Sequence, residues 1–537
     1  MTQAKLAIRL IVFAILLAPT GAWCRSAQTP TAPVQIESGL IAGVPDGALT
    51  IYKSIPFAAP PVGALRWRPP ERPLRWRGVR TADKFGPVCM QSGASVPGAA
   101  EEPVSEDCLT LSIWTPSKSP DDKLPVMVWI PGGGFTQESA SMRLYWGDAL
   151  ARRGVIVVSI NYRVGVFGFL AHPELTRESP NHSSGNYGLL DQIAALVWIK
   201  ANIAAFGGDP ARVTIWGQSA GSMSVNLLMA SPLARGLFQG AIGESGGFFV
   251  PPAATGSVEK WFLPGAEQQG VKFAATVGAP SVEAMRKLGP EQILKASDAG
   301  TTHPIMDGFV LPQEPFDVFT AGHQNDVPLL LGSNANEGRP LIAGRDVKLS
   351  SFADDIGKAY GSDVIGQLAN ESLKIYPATT DAEAHESRAN FERDLRFGWD
   401  MWTWARLQAK TGKGKVFYYY FAHLPPAPQG SPFAYWGAGH WAELPYVFDH
   451  LSQYQWAWTD ADRALADTMA TYWTNFAKSG DPNGATVPAW PNFTTKNEHL
   501  LHFNDTLSIG GVPNFEGLRL LDQRFAKLRA AIPGSQK

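Results

Sequence analysis

The chain has 537 residues, with 46 Lys and Arg against 48 Asp and Glu, so its formal net charge is −2. This balance excludes a protein whose main task is to bind nucleic acid, because that affinity comes largely from phosphate neutralisation. Hydrophobic residues make up 45% and charged residues 18%, a composition that favours a packed core and excludes a disordered chain.

The N-terminal segment has the pattern of an export signal. Lys5 and Arg9 precede the apolar run Leu10–Ala18, and small and helix-breaking residues follow that run. This is the order of the charged, apolar and cleavage regions of a signal peptide. We therefore expect residues 1–24 to be removed and the protein to be secreted or periplasmic.

The cleavage site has two candidates. Cleavage after Cys24 is the first expectation and cleavage after Ala27 is the second, while a membrane anchor and a lipoprotein are the alternatives. Residues 25–33 are polar and contain proline, which predicts a flexible lead-in. We expect residues 34–537 to form a single domain without a membrane span, because no apolar run is long enough.

Removal of the signal leaves two cysteines, Cys89 and Cys108. An even number of cysteines in an oxidising compartment favours a disulfide. Such a bond closes a loop of modest length and would stabilise the fold by about 3 kcal/mol. Two free buried thiols are the alternative.

Short apolar runs alternate with helical patterns, which predicts an α/β fold with a large, mostly parallel central sheet. The runs are apolar throughout, as expected for strands that are buried on both faces. They are Val126–Ile130, Val155–Ile160, Val213–Trp216 and Leu329–Leu331.

Helical spacing predicts helices over Tyr187–Ile203 and Asp462–Lys478. The predicted buried side of the first helix carries Leu190, Ile193, Ala194, Val197 and Trp198. Residues from about 250 to 325 and from about 345 to 435 are less regular, and we interpret them as helical insertions over the sheet.

The strongest local motif is Gly217-Gln218-Ser219-Ala220-Gly221, between a predicted strand and a predicted helix. Small residues beside the serine allow a sharp turn that exposes its hydroxyl. The following helix directs its positive N-terminal end towards a developing oxyanion. This context predicts Ser219 as a nucleophile.

A serine hydroxyl needs a base, usually a histidine that is oriented by a carboxylate. Among ten histidines, His440 alone lies in a loop with glycines before it and aromatic residues around it. In this fold the acid lies between the serine and the histidine in sequence, on a loop after a strand. Glu337 follows the predicted strand Val327–Leu331, and Asp307, beside Gly308, is the rival.

The run Pro131-Gly132-Gly133-Gly134-Phe135 follows another predicted strand. Its glycines free backbone N–H groups to form an oxyanion hole together with the N–H of Ala220. A phosphate-binding loop would end in Lys-Ser or Lys-Thr, which is absent. No His-x-x-x-His pair or cysteine cluster indicates a metal site, and we expect no cofactor.

These motifs together resemble the type-B carboxylesterase/lipase family of the α/β-hydrolase superfamily, over nearly the whole mature chain. The resemblance implies a Ser219–Glu337–His440 triad, an oxyanion hole from Gly133, Gly134 and Ala220, and a Cys89–Cys108 disulfide. The stretches that carry it are Glu106–Leu111, the glycine loop with Phe135, Asn161–Gly165, Phe206–Pro210, the serine motif, Ser333–Asn334 with Glu337–Gly338, and His440 with Leu444.

Two residues depart from the family pattern. Pro131 stands where many relatives carry His or Tyr, and Gln218 stands where many carry Glu. By resemblance Phe248 and Phe249 border the acyl pocket, with ordinary core packing as the alternative. The expected activity is hydrolysis of small-molecule carboxylic esters through an acyl-enzyme. A lipase acting on longer chains, or a non-catalytic binding protein on the same fold, are the alternatives.

Overall fold

The computed structural model describes residues 29–92, 102–255, 257–297, 303–360 and 366–531. The predicted signal peptide, residues 1–24, lies outside the described residues, as does the first part of the predicted lead-in.

The described residues form sixteen strands. They are β1 Val34–Ile36, β2 Gly39–Ala42, β3 Val44–Asp46, β4 Leu49–Pro56, β5 Val79–Thr81, β6 Val88–Cys89, β7 Val104–Ser105, β8 Thr110–Thr115, β9 Leu124–Ile130, β10 Ile156–Ile160, β11 Gly208–Gln218, β12 Gly240–Glu244, β13 Leu329–Asn334, β14 Val416–Phe421, β15 Leu500–Phe503 and β16 Ser508–Gly510.

The α-helices of the same residues range from single turns to five turns. They are α1 Asp148–Ala151, α2 Gly165–Phe169, α3 Pro173–Glu178, α4 Tyr187–Asn202, α5 Ala220–Ala230, α6 Leu263–Thr276, α7 Val282–Arg286, α8 Pro290–Ala296, α9 Pro315–Thr320, α10 Gly338–Leu341, α11 Leu349–Tyr360, α12 Gly366–Ile375, α13 Asp381–Arg393, α14 Trp399–Thr411, α15 Pro432–Trp436, α16 Leu444–Val447, α17 Asp460–Ser479 and α18 Phe515–Ala530.

Eleven of the described strands form one sheet, in the order β16-β15-β14-β13-β12-β11-β9-β10-β8-β4-β3. The strands from β10 to β15 in this order are parallel, and antiparallel strands flank them on both sides. The predicted α/β-hydrolase fold with a large, mostly parallel sheet is confirmed.

The sheet separates two hydrophobic cores, and β9 shows why its sequence is apolar throughout. Val126, Val128 and Ile130 belong to one core, whereas Met127 and Trp129 belong to the other. Successive side chains of a strand point to opposite faces, so a strand covered on both faces carries an unbroken apolar run. Helices α4, α5 and α14 contribute to the first core and α17 to the second.

The predicted buried side of α4 is partly wrong. Ile193 and Trp198 are buried as predicted, but Val197 is 51% exposed, and the buried side also includes Leu189 and Leu196. Apolar residues surround much of this helix, so periodicity alone did not fix which side faces the sheet.

The interpretation of the less regular regions is also incomplete. Residues 345–435 contribute β14 to the middle of the parallel sheet, in addition to helices. The aromatic run of β14 satisfies the requirement for a strand that is buried on both faces.

Helix α4 continues as a 3₁₀ turn, and Tyr187–Phe206 is the only described segment that is helical, long and apolar enough to cross a membrane. In the most apolar 18-residue window of this segment, 61% is buried inside the protein. Its apolar residues belong to the hydrophobic core beside the sheet.

Cys89, at the end of β6, and Cys108 form a disulfide, with a Cα–Cα distance of 5.0 Å. Both residues are buried. The alternative of two free thiols is therefore excluded.

We expect reduction of this bond to lower the free energy of unfolding by about 3 kcal/mol, because the unfolded chain loses a closed loop. Urea unfolding of the protein with and without reductant measures the difference. The Cys89→Ala/Cys108→Ala double variant is the control, since its stability should not respond to reductant. Mass spectrometry that finds both thiols alkylated before reduction would contradict the assignment.

Candidate active site

The carboxyl ends of adjacent strands bring the candidate residues together. Gly217 of β11 pairs in register with Ile130 of β9, so the serine motif and the glycine loop leave the sheet side by side. Glu337 follows β13 two strands away, and His440 lies in the long connection after β14. Ligand sites of open α/β sheets lie at this edge.

Ser219 occupies a tight turn between β11 and α5, with φ of 57° and ψ of −123°. A non-glycine residue rarely adopts this conformation, and such strain is concentrated at functional sites. Gly221 permits the turn because a Cβ there would lie 2.1 Å from the carbonyl oxygen of Ile130. The hydroxyl therefore lies at the start of α5, where the N–H of Ala220 has no helical acceptor.

The glycine loop folds over this turn. Gly133 and Gly134 have φ values of 76° and 62°, which only glycine adopts readily. The Tyr162 hydroxyl donates a hydrogen bond to the Pro131 carbonyl at 3.0 Å and fixes the loop. Pro131, the departure from the family pattern, thus supplies a backbone acceptor to a buried tyrosine.

Glu337 and His440 form a buried pair, with Glu337 Oε2 2.6 Å from His440 Nδ1. The other carboxylate oxygen accepts hydrogen bonds from the Ser245 hydroxyl and from the Asn334 N–H, the latter at 2.8 Å. A carboxylate that accepts at Nδ1 fixes the tautomer in which Nε2 carries a lone pair. The ring can therefore act as a base on its Nε2 side.

The rival acid, Asp307, lies elsewhere. It accepts hydrogen bonds from the Ser183 hydroxyl at 2.6 Å and from the N–H groups of Phe309 and Leu311 in its own turn. Asp307 therefore stabilises a loop, and Glu337 is the carboxylate that contacts His440.

The side-chain amide of Gln218 also contacts the His440 ring. Gln218 Nε2 lies 3.1 Å from His440 Nε2 and 3.3 Å from its Nδ1. Within the described residues, the Ser219 hydroxyl makes no hydrogen bond to the ring. Catalytic hydrogen bonds are often long in a resting enzyme and shorten when substrate binds.

Two further carboxyl groups, Glu244 and Glu443, are buried beside this pair. Burial, together with the neighbouring Glu443, raises the pKa of Glu244 well above its ordinary value. Burial and the nearby Glu337 raise the pKa of Glu443 to about 7. Asn334 donates a hydrogen bond to Glu443, and the Trp473 ring N–H donates one to Glu244 at 2.7 Å.

A buried acid also lies beneath the loop that follows β12. Asp400 accepts a hydrogen bond from the Phe249 N–H at 3.0 Å, and burial raises its pKa from 3.8 to about 7. The folded protein therefore binds a proton that the unfolded chain releases between these two values. Such a group contributes stability below about pH 4 that is lost as pH rises through 7.

We expect Asp400→Asn to reduce the loss of unfolding free energy between pH 5.5 and pH 7.5. Urea unfolding at both pH values measures this loss. Asp354→Asn, at an exposed site of α11, is the matched control and should keep the wild-type difference. Equal losses in wild type and Asp400→Asn would contradict the assignment.

An apolar cleft opens beside His440. The loop that carries the histidine and α15 form one wall, and residues 142–145 and the segment before α17 form the others. Its aromatic lining residues are Tyr145, Phe433, Trp436, Trp441, Tyr454 and Trp456. The lining therefore suits an apolar or aromatic group next to the imidazole.

The predicted acyl-pocket residues do not line this cleft. Phe249 is buried in the core, where its ring packs edge-on against Phe319 and Trp404. Phe248 is partly buried against Trp261. This arrangement corresponds to the alternative of ordinary core packing for Phe249.

Sequence reasoning did not single out several residues of the site. The aromatic residues beside His440 in the sequence did indicate that its loop borders a pocket. Nothing in the sequence indicated that Ser245 would contact Glu337, or that Phe397 would stack on His440 with 4.6 Å between ring centroids.

Comparison with known proteins identifies the family of the chain. A model of the carboxylesterase family matches residues 30–516. The chain is 37% identical over 485 residues to fumonisin B1 esterase of Sphingopyxis macrogoltabida, covering 88% of this chain and 86% of that protein. It is 33% identical over 504 residues to para-nitrobenzyl esterase of Bacillus subtilis strain 168, covering 90% and 97%. A solved structure titled PNB esterase aligns with a TM-score of 0.77 at 32% identity, covering 92% of this chain and 99% of that one.

The sheet, its flanking helices and the strand–turn–helix at Ser219 define an α/β-hydrolase. Within that class the chain belongs to the carboxylesterase family, and it is a carboxylic ester hydrolase.

Proposed function

We propose that the protein is an exported serine carboxylesterase that uses Ser219, His440 and Glu337. The buried Glu337–His440 pair, beside a serine in a tight strand-to-helix turn, carries the proposal. Ser219 attacks the ester carbonyl while His440 accepts its proton. Backbone N–H groups of Gly133, Gly134 and Ala220 stabilise the oxyanion.

His440 then protonates the leaving alcohol, and water hydrolyses the acyl-enzyme by the same steps in reverse. Glu337 orients the ring and balances its positive charge. The signal-like N-terminus supports secretion or a periplasmic location, and mass spectrometry of the mature N-terminus tests export.

The cleft beside His440 supports a preference on the alcohol side of the ester. The leaving oxygen takes its proton from His440, so the alcohol group lies on the histidine side of the reacting carbon. The aromatic cleft has His440 in its lining, which supports this placement of the alcohol group. We therefore assign an apolar or aromatic alcohol to the substrate.

We expect Trp456→Ala to raise KM about tenfold for esters of bulky aromatic alcohols, because an aromatic contact contributes about 1 kcal/mol beyond its buried area. Methyl esters of the same acids are the internal control, and their KM should not change. Equal effects on both ester series would show that the cleft does not hold the alcohol.

The substrate class is tested with initial rates on nitrophenyl esters from acetate to long acyl chains, beside aromatic-alcohol esters and fumonisin B1. Fumonisin B1 is included because one relative is named for it. Rates that rise sharply above the solubility limit of long-chain esters would favour a lipase. Failure of a fluorophosphonate to label Ser219 would favour the alternative of a non-catalytic binding protein on the same fold.

A further inference from the structure

Gln218 belongs to the serine motif, yet the proposed mechanism assigns no role to its side chain. The residue is buried, and its Oε1 has no hydrogen-bond partner among the described residues. An unsatisfied buried acceptor costs about 1–3 kcal/mol of stability. Stability therefore does not explain a glutamine at this position.

The contact between Gln218 and His440 is made through the face of the imidazole. The amide nitrogen lies 3.1 and 3.3 Å from the two ring nitrogens, which flank Cε1. An atom in the ring plane at these distances from both nitrogens would overlap Cε1. The amide therefore lies above the ring, and the in-plane lone pair of Nε2 stays free.

Phe397 also stacks on the imidazole, with 21° between the ring planes, and Trp441 packs edge-on at 4.8 Å between centroids. Glu337 holds Nδ1 within the ring plane. The orientation of the His440 ring is thus set by one hydrogen bond in the ring plane, to Glu337, and by the amide and aromatic groups that pack against the ring.

Among the described residues, the acidic groups near His440 are carboxyls on several elements, and the phenols of Tyr145 and Tyr454 line the same cleft. Glu337 follows β13, Glu138 follows the glycine loop and Glu443 precedes α16, while Glu244 ends β12 behind Glu443. Burial raises the pKa of Glu138, of Glu244 and of Glu443. Gln218, on β11, adds no charge to this set.

We propose that Gln218 is a positioning residue that supports the His440 ring from its face without adding the negative charge a glutamate would bring. The inference rests on the proposed function. A carboxylate in this place would favour the imidazolium, which cannot act as a base. The glutamine therefore keeps the enzyme active at lower pH than a glutamate would.

The charge is tested with Gln218→Glu and the near-isosteric, uncharged Gln218→Met. The pH dependence of kcat/KM on a nitrophenyl ester reports groups of the free enzyme. We expect the midpoint of the acid limb to move up by about one pH unit in Gln218→Glu and to stay unchanged in Gln218→Met.

Gln239→Glu is the control for the charge change. Gln239 is exposed and accepts a hydrogen bond from the Val213 N–H at the opposite edge of the sheet. The acid limb of the Gln239→Glu enzyme should therefore match that of the wild type. An unmoved acid limb in folded Gln218→Glu overturns the inference, and so does an equal shift in Gln239→Glu.

The support of the ring is tested with Gln218→Ala. This variant also gives a decisive result if Gln218→Glu does not fold. We expect kcat to fall about tenfold with KM unchanged, and Gln218→Met to restore most of the loss. Wild-type kcat in Gln218→Ala overturns the inference. Fluorophosphonate labelling of the wild type distinguishes failure of this inference from failure of the proposed function. A wild type that shows neither labelling nor turnover refutes the proposed function itself.

Discussion

Replacement of Ser219 by alanine should lower kcat by about 10⁵-fold or more, because loss of one member of a cooperating triad removes nearly all of its contribution. The change deletes one oxygen of a partly exposed residue and leaves the backbone of the turn in place. Near-ultraviolet circular dichroism and the unfolding midpoint should therefore match the wild type.

Initial rates on a nitrophenyl ester measure the effect. Ser508→Ala, on the exposed edge strand β16, removes the same atom far from the site and should keep wild-type rates. Turnover of Ser219→Ala within tenfold of the wild type would refute Ser219 as the nucleophile.

Replacement of Glu337 by glutamine should lower kcat by about 10³- to 10⁴-fold, since an amide can favour the wrong tautomer of His440 while the geometry is kept. The Glu337–His440 contact of 2.6 Å is the interaction that this change alters. The Ser245 hydroxyl and the Asn334 N–H still find an acceptor in the amide oxygen, so the fold should persist.

The comparison that decides between the two candidate acids is Asp307→Asn. This variant should keep kcat, although its free energy of unfolding should fall because Asp307 accepts several hydrogen bonds in its loop. A large loss of kcat in Asp307→Asn, with little loss in Glu337→Gln, would reverse the assignment.

The fold and the centre of the site could be predicted from sequence because their signals are local. Unbroken apolar runs predicted the strands, and the serine motif needed only its immediate neighbours. Glu337 could be chosen over Asp307 because it follows a strand of the sheet. The family comparison confirms the fold class and the ester-hydrolase class.

The rest depends on contacts between residues that are distant in sequence. The cleft combines aromatic residues from three segments of the chain, and Phe397 reaches His440 from a helical region. The side of α4 that is buried follows from how the helix lies on the sheet, as exposed Val197 shows. A single sequence contains no record of these contacts, so periodicity and spacing could not predict them.

The order of the strands has a consequence for how the protein is made. β9 and β11 bring the glycine loop and Ser219 together early, but His440 comes after β14, more than four-fifths of the way along the chain. A ribosome that has released only the first half of the chain therefore holds a serine without its base. Because the serine and the base join late in synthesis, the growing chain carries no competent active site, and ester hydrolysis can begin only after His440 has been synthesised and packed beside the serine.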